Sequence, residues 1–144
     1  MISDTTQQRS EERNWAMAAH LSALVAVMGI PFGHVVGPLI VYLLQRDRSP
    51  FVAAHARASL NFQITISIVA VVLFGAVIAA WFFVVLTTSE NERSVPARAV
   101  AIWLACLFVM LLGAIGTIVW VVMGALAASR DLPYRYPFAI TFVR

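Results

Sequence analysis

The chain has no lysine and only one cysteine, and long parts of it carry no charge at all. The single thiol, Cys106, excludes an internal disulfide and is expected to be structural. The sequence contains no Gly-x-Ser-x-Gly, His-Glu-x-x-His or glycine-rich phosphate-binding motif, and its apolar parts contain no pair of carboxylates. These absences argue against an enzyme and leave no candidate catalytic or cofactor-binding residues.

Three stretches lack Asp, Glu, Lys and Arg, and each is 31 or 32 residues long: 14–45, 58–89 and 99–129. A helix needs only about 20 mostly apolar residues to cross a bilayer. Hydrophobic residues make up 61% of the chain and charged residues 12%, proportions that are unusual for a water-soluble domain. The sequence therefore predicts an all-α integral membrane protein, with the lipid bilayer as its first partner.

The predicted organisation is a short leader followed by one membrane domain. Residues 1–13 are expected to be a disordered cytoplasmic leader, and residues 14–144 a single transmembrane domain. Helical segments are predicted at about 14–28, 35–45, 49–87 and 97–129.

The third segment has the clearest start, because Ser49 and Pro50 suit the N-cap and first turn of a helix. A continuous helix from there would exceed the thickness of the bilayer. Its first turns are therefore expected at the membrane interface. Thr87 to Pro96 is predicted to be a polar connection. The alternating residues near the C-terminus favour an extended segment, at the interface or packed on the protein, to which we assign no chemistry.

The first charge-free stretch is interrupted near its middle by Gly29, Pro31 and Gly33. Glycine and proline together disfavour one continuous helix. Two alternatives remain, a hairpin of two short helices that returns to the same side and a single kinked span. We favour the hairpin, with these three residues in its turn.

The arginines also favour the hairpin. With a hairpin, eight arginines lie on one side of the membrane and only Arg93 and Arg98 lie on the other, whereas a single crossing gives six against four. The positive-inside rule then predicts a multi-pass protein of the bacterial inner membrane with both termini cytoplasmic. We interpret the arginines as topology determinants and contacts to lipid phosphates, and we expect no nucleic acid partner.

A few polar side chains lie inside the apolar stretches, and they are the candidate packing or pathway residues: His20, Asn61, Gln63, Thr65 and Ser67. Such groups either join helices by hydrogen bonds or line a polar path. A metal site is not expected, because His20, His34 and His55 share no ligand spacing and no acidic or thiol residue lies near them in sequence.

Two functions remain open at this point. The small size and the absence of catalytic groups favour a noncatalytic scaffold or accessory subunit, bound to other membrane subunits or to copies of itself. The alternative is a small channel or transporter that uses the polar face, because broken helices form ion sites in transporters. A polypeptide-translocation component is a third form of this alternative, and only the family resemblance described next implies it.

Several motifs, in this order, resemble a bacterial family of small membrane proteins described as similar to the twenty-kilodalton import component of the chloroplast inner envelope. They are residues 12–24, 30–40, Ser49-Pro-Phe51, Leu60-Asn-Phe-Gln63 and Tyr134-Arg-Tyr-Pro-Phe138. The resemblance implies a compact bundle of about four helical segments and a small subunit of a larger assembly that handles polypeptides. Ala53 and Ala54 depart from the acidic residues that the family usually carries there.

Overall fold

The computed structural model describes residues 2–87 and 97–144, and every regular element in those ranges is helical. The elements are α1 (Ile2–Leu21), a 3-10 helix (Ser22–Met28), α2 (Gly33–Gln45), α3 (Pro50–Thr87) and α4 (Ala97–Ser129). The all-α prediction is confirmed. The predicted polar connection lies outside the described residues, except for Thr87, which ends α3.

Residues 2–13, which we expected to be disordered, are helical and form most of α1. The expectation is wrong for two physical reasons. Unbranched Gln, Glu and Arg side chains are good helix formers, and Gln7 donates a hydrogen bond of 3.5 Å to Glu11 one turn later. In addition, the Arg13 guanidinium lies 3.4 Å from the Asp131 carboxylate, which ties α1 to the end of α4.

The first charge-free stretch does turn back on itself. The helix expected over 14–28 is divided, because α1 ends at Leu21 and a 3-10 helix continues to Met28. Gly29 follows in the left-handed conformation, with φ +84°, which glycine adopts without steric cost. Phe32 has φ 58° and immediately precedes α2. The chain therefore reverses over residues 29–32, where the hairpin turn was predicted.

Glycines let α2 pack directly on the 3-10 helix. A Cβ atom on Gly37 would lie 2.6 Å from the Ser22 carbonyl oxygen, and one on Gly33 would lie 3.2 Å from the Ala26 nitrogen. Both distances are shorter than ordinary van der Waals contact. The backbones thus approach as closely as small residues allow in packed membrane helices.

The ends of α3 and α4 follow from local sequence. Ser49 caps α3, since its hydroxyl accepts a hydrogen bond from the Val52 N–H at 3.4 Å, as the N-cap prediction required. At the end of α4, the N–H of Leu132 bonds to the Ala127 carbonyl at 3.0 Å and Asp131 has φ 58°. This is a Schellman motif with aspartate in the position that glycine usually occupies.

The chain forms two units, and the first contains residues 1–66 and 118–144. Its core brings together the four helices through small side chains. The fully or nearly fully buried members are Ala16, Ala19, Val41, Val52, Ala56 and Ala128. Alanine predominates in this set, which allows the helices to lie close together without large side chains between them.

The second unit contains Ser67–Thr117 and is formed by α3 and α4. Trp81 and Trp103 meet edge to face, with ring centroids 5.8 Å apart. Both α3 and α4 are long and apolar enough to cross a membrane, and only 0% and 6% of their most apolar windows are buried. Exposed apolar surface of this extent is suited to lipid or to another apolar partner.

Candidate functional site

A line of three polar side chains crosses the centre of the first unit. The Tyr136 hydroxyl lies 2.7 Å from His20 Nδ1, and His20 Nε2 lies 2.9 Å from His55 Nδ1. His20 is 0% exposed, His55 2% and Tyr136 6%. Residues from α1, α3 and the C-terminal segment are thereby joined in one buried hydrogen-bonded chain.

Burial controls the charge of this chain. His20 is 0% exposed and lies beside a second histidine, and burial of this kind disfavours a charged imidazole. Burial also raises the pKa of Tyr136, partly opposed by a hydrogen bond with Ser59. A neutral His20 has one N–H, so the hydrogen bonds run either from Tyr136 through His20 to His55 or in the opposite direction.

Aromatic rings enclose the histidines. Phe62 stacks on Tyr136 with centroids 4.2 Å apart and an interplanar angle of 10°, and Trp120 meets the edge of Phe62 at 5.7 Å. Phe51 lies 4.6 Å from the His55 ring. The rings bury the hydrogen-bonded chain in a low-dielectric setting, where each of its hydrogen bonds is stronger than in water.

A second polar cluster holds the C-terminal segment on α3. The side-chain oxygen of Asn61 accepts hydrogen bonds from the N–H groups of Phe142 and Val143, at 3.0 and 2.8 Å, and its amide donates to the Val143 carbonyl at 3.0 Å. Thr65 accepts a further bond from the Ile140 N–H at 3.0 Å. These two side chains thus bind the backbone of residues 140–143 as a neighbouring strand would.

The five polar residues selected from sequence do not form one site. His20 lies in the histidine–tyrosine chain, Asn61 and Thr65 hold the C-terminal segment, and Gln63 is 1% exposed on the same helix. Ser67 belongs to the second unit. Across the described ranges, no cluster of three or more His, Cys, Asp or Glu side chains could hold a metal ion.

Sequence reasoning missed the role of Tyr136 and the pairing of His20 with His55. The histidines are 35 residues apart and Tyr136 is 116 residues from His20, so no helical spacing connects them. The signal that was available is the pair of tyrosines, Tyr134 and Tyr136, in a segment without helical pattern, since buried Tyr usually has a hydrogen-bond partner.

A family model described as the magnetosome magnetite crystal formation protein family, MamF/MmsF, matches residues 11–143. The chain belongs to this family. The match covers both units, including the histidine–tyrosine chain and most of the C-terminal segment. Neither the curated proteins nor the solved structures include a match to the chain.

The magnetosome family match corrects the resemblance drawn from sequence. The motifs that suggested kinship to the chloroplast import component lie within residues assigned to the MamF/MmsF family instead. The role in handling polypeptides depended on that resemblance alone, so it is no longer supported. The comparison supports a membrane protein of a family described by magnetite crystal formation.

Proposed function

We propose that this chain is a noncatalytic accessory subunit of the membrane in which its family forms magnetite crystals, and that it works by binding other membrane subunits or copies of itself. The family description supplies the process, magnetite crystal formation. The accessory role is our inference from the way the chain uses its polar groups.

The observation that carries this proposal is the arrangement of Asn61 and Thr65. Both residues use their side chains to hold the backbone of the C-terminal segment. Hydrogen bonds of this kind stabilise a fold, and they count against a polar path along the same helix face. The exposed apolar surface of the second unit, in turn, offers a large area to lipid or to a neighbouring subunit.

Native purification from a magnetite-forming host tests the accessory role. Two differently tagged copies are co-expressed and purified through one tag in mild detergent. We expect a particle heavier than one chain, containing either the second tag or other membrane proteins at a fixed ratio. As a control, copies expressed separately are mixed only after solubilisation, which reveals association caused by detergent. A strictly monomeric particle without any bound protein would contradict the proposal.

We further propose that α3 and α4 cross the bacterial inner membrane and that the preceding hairpin enters and leaves on one side, so that both termini are cytoplasmic. The first two helical elements then form a short hairpin within a bundle of about four segments. The turn at residues 29–32 supports this placement, as does the bias of the arginines toward one face.

Cysteine labelling distinguishes the hairpin from a single kinked crossing. Single cysteines are introduced as Ser3→Cys and Ser89→Cys in a Cys106→Ala background, and spheroplasts, whose inner membrane is intact, are treated with an impermeant thiol reagent. The hairpin predicts labelling at position 89 only, and lysed cells serve as the control for reactivity at both positions. Labelling of both positions in spheroplasts would establish the kinked crossing.

A further inference from the structure

A groove of about 560 Å³ opens in the first unit between the first turns of α3 and the C-terminal segment. Arg57 and His55 line it from α3, and Arg135 and Arg144 line it from the C-terminal segment. It is a separate feature from the chain of hydrogen bonds between Tyr136 and the histidines, although Tyr136 and His55 form part of its wall.

The groove is strongly basic. Three guanidinium groups border it, and its lining contains no aspartate or glutamate side chain. Two arginines elsewhere are paired with acids, Arg13 with Asp131 and Arg46 with Asp47. In the part of the chain that the structure describes, no ion pair involves the three groove arginines. Three like charges around one cavity repel each other, and an anion between them would remove that repulsion.

Phosphate is the anion that suits this lining. A guanidinium offers planar pairs of N–H donors that match phosphate oxygens. His55 adds no ligand to this set, because its Nε2 is not accessible from the groove and the Leu132 backbone already bonds to the ring. The phosphate contacts therefore come from the arginines.

The C-terminal segment indicates where the phosphate comes from. Ala139, Thr141 and Val143 face the groove, whereas the alternate residues Phe138 and Ile140 are 87% and 56% exposed. The segment therefore has one side that faces the basic groove and another side that is apolar and exposed. Soluble phosphate has no contact to make with exposed apolar side chains, whereas the acyl region of a lipid does.

We propose that this groove binds the phosphate of an anionic phospholipid, with Arg57, Arg135 and Arg144 as its ligands. The bound lipid anchors the C-terminal segment at the membrane surface. This inference does not depend on the accessory role, because a protein of any activity could hold a lipid in this way.

Lipid retention tests the proposal. The chain, tagged at its N-terminus, is delipidated in detergent and equilibrated with equal amounts of phosphatidylglycerol and phosphatidylcholine, and bound lipid is counted by native mass spectrometry. We expect phosphatidylglycerol to be retained over phosphatidylcholine. The double variant Arg135→Gln/Arg144→Gln is expected to lose at least fivefold in phosphatidylglycerol affinity, because both side chains are exposed and line the groove.

The matched control is Arg9→Gln/Arg48→Gln, which removes the same charge from exposed positions outside the groove. It is expected to stay within twofold of the wild type. Equal losses in the two double variants would overturn the site, since they would reflect net charge alone. Displacement of phosphatidylglycerol by millimolar inorganic phosphate would overturn the lipid as the source and leave a soluble phosphate as the ligand. Equal retention of both lipids would also overturn the proposal.

Discussion

Replacing Gly37 by alanine is expected to destabilise the protein by about 1–3 kcal/mol, the range for overpacking a well-packed interface. The new Cβ atom would lie 2.6 Å from the Ser22 carbonyl oxygen, 2.7 Å from its Cβ and 2.9 Å from its carbonyl carbon. Two of these atoms belong to the backbone and cannot rotate away. The 3-10 helix must therefore move off α2, and the turn between them must change with it.

Thermal unfolding in detergent, followed by circular dichroism, measures this effect. Gly113→Ala and Gly75→Ala are matched controls, because a Cβ atom at either position would meet nothing within 4 Å. Alanine is the better helix former by about 1 kcal/mol, so the controls are expected to be neutral or stabilising. If Gly37→Ala unfolded at the same temperature as the controls, the close contact between α2 and the 3-10 helix would be wrong.

The parts of the fold that sequence predicts well are those set by local chemistry. Charge-free stretches longer than a bilayer crossing predict α3 and α4. Ser49 is predicted as the N-cap of α3, and its hydroxyl accepts the capping hydrogen bond. The reversal around Gly29 follows from a residue that tolerates positive φ. Each of these features depends on residues close together in the chain.

The features that sequence does not predict depend on distant contacts or on a wrong weighting of local propensity. The leader has charges and polar side chains that suggested disorder, yet the same side chains favour a helix, and Arg13 is held by Asp131 far along the chain. The hydrogen bond from Asn61 to Val143 and the pairing of His20 with His55 can be predicted only when it is known which segments meet. A histidine spacing rule cannot detect a pair formed by two different helices.

Replacing Gly124 by alanine is expected to break the buried hydrogen bond between His20 and Tyr136. A Cβ atom there would lie 2.8 Å from His20 Nδ1 and 3.0 Å from the Tyr136 hydroxyl, the two atoms that share a 2.7 Å hydrogen bond. Either ring can move only by leaving its partner. Two buried polar groups then lose this hydrogen bond, at about 1–3 kcal/mol each, so we expect a total loss of about 2–6 kcal/mol.

A double-mutant cycle tests whether this loss depends on the Tyr136 hydroxyl. Tyr136→Phe removes the hydroxyl oxygen that the new Cβ would meet and also removes the hydrogen bond. If the broken bond causes the loss, Gly124→Ala is expected to cost at least about 1 kcal/mol less in the Tyr136→Phe background than in the wild type. The free energy of unfolding of each variant is measured in detergent by circular dichroism. An equal cost of Gly124→Ala in both backgrounds would show that it acts by crowding alone and that the His20–Tyr136 bond contributes nothing to its effect.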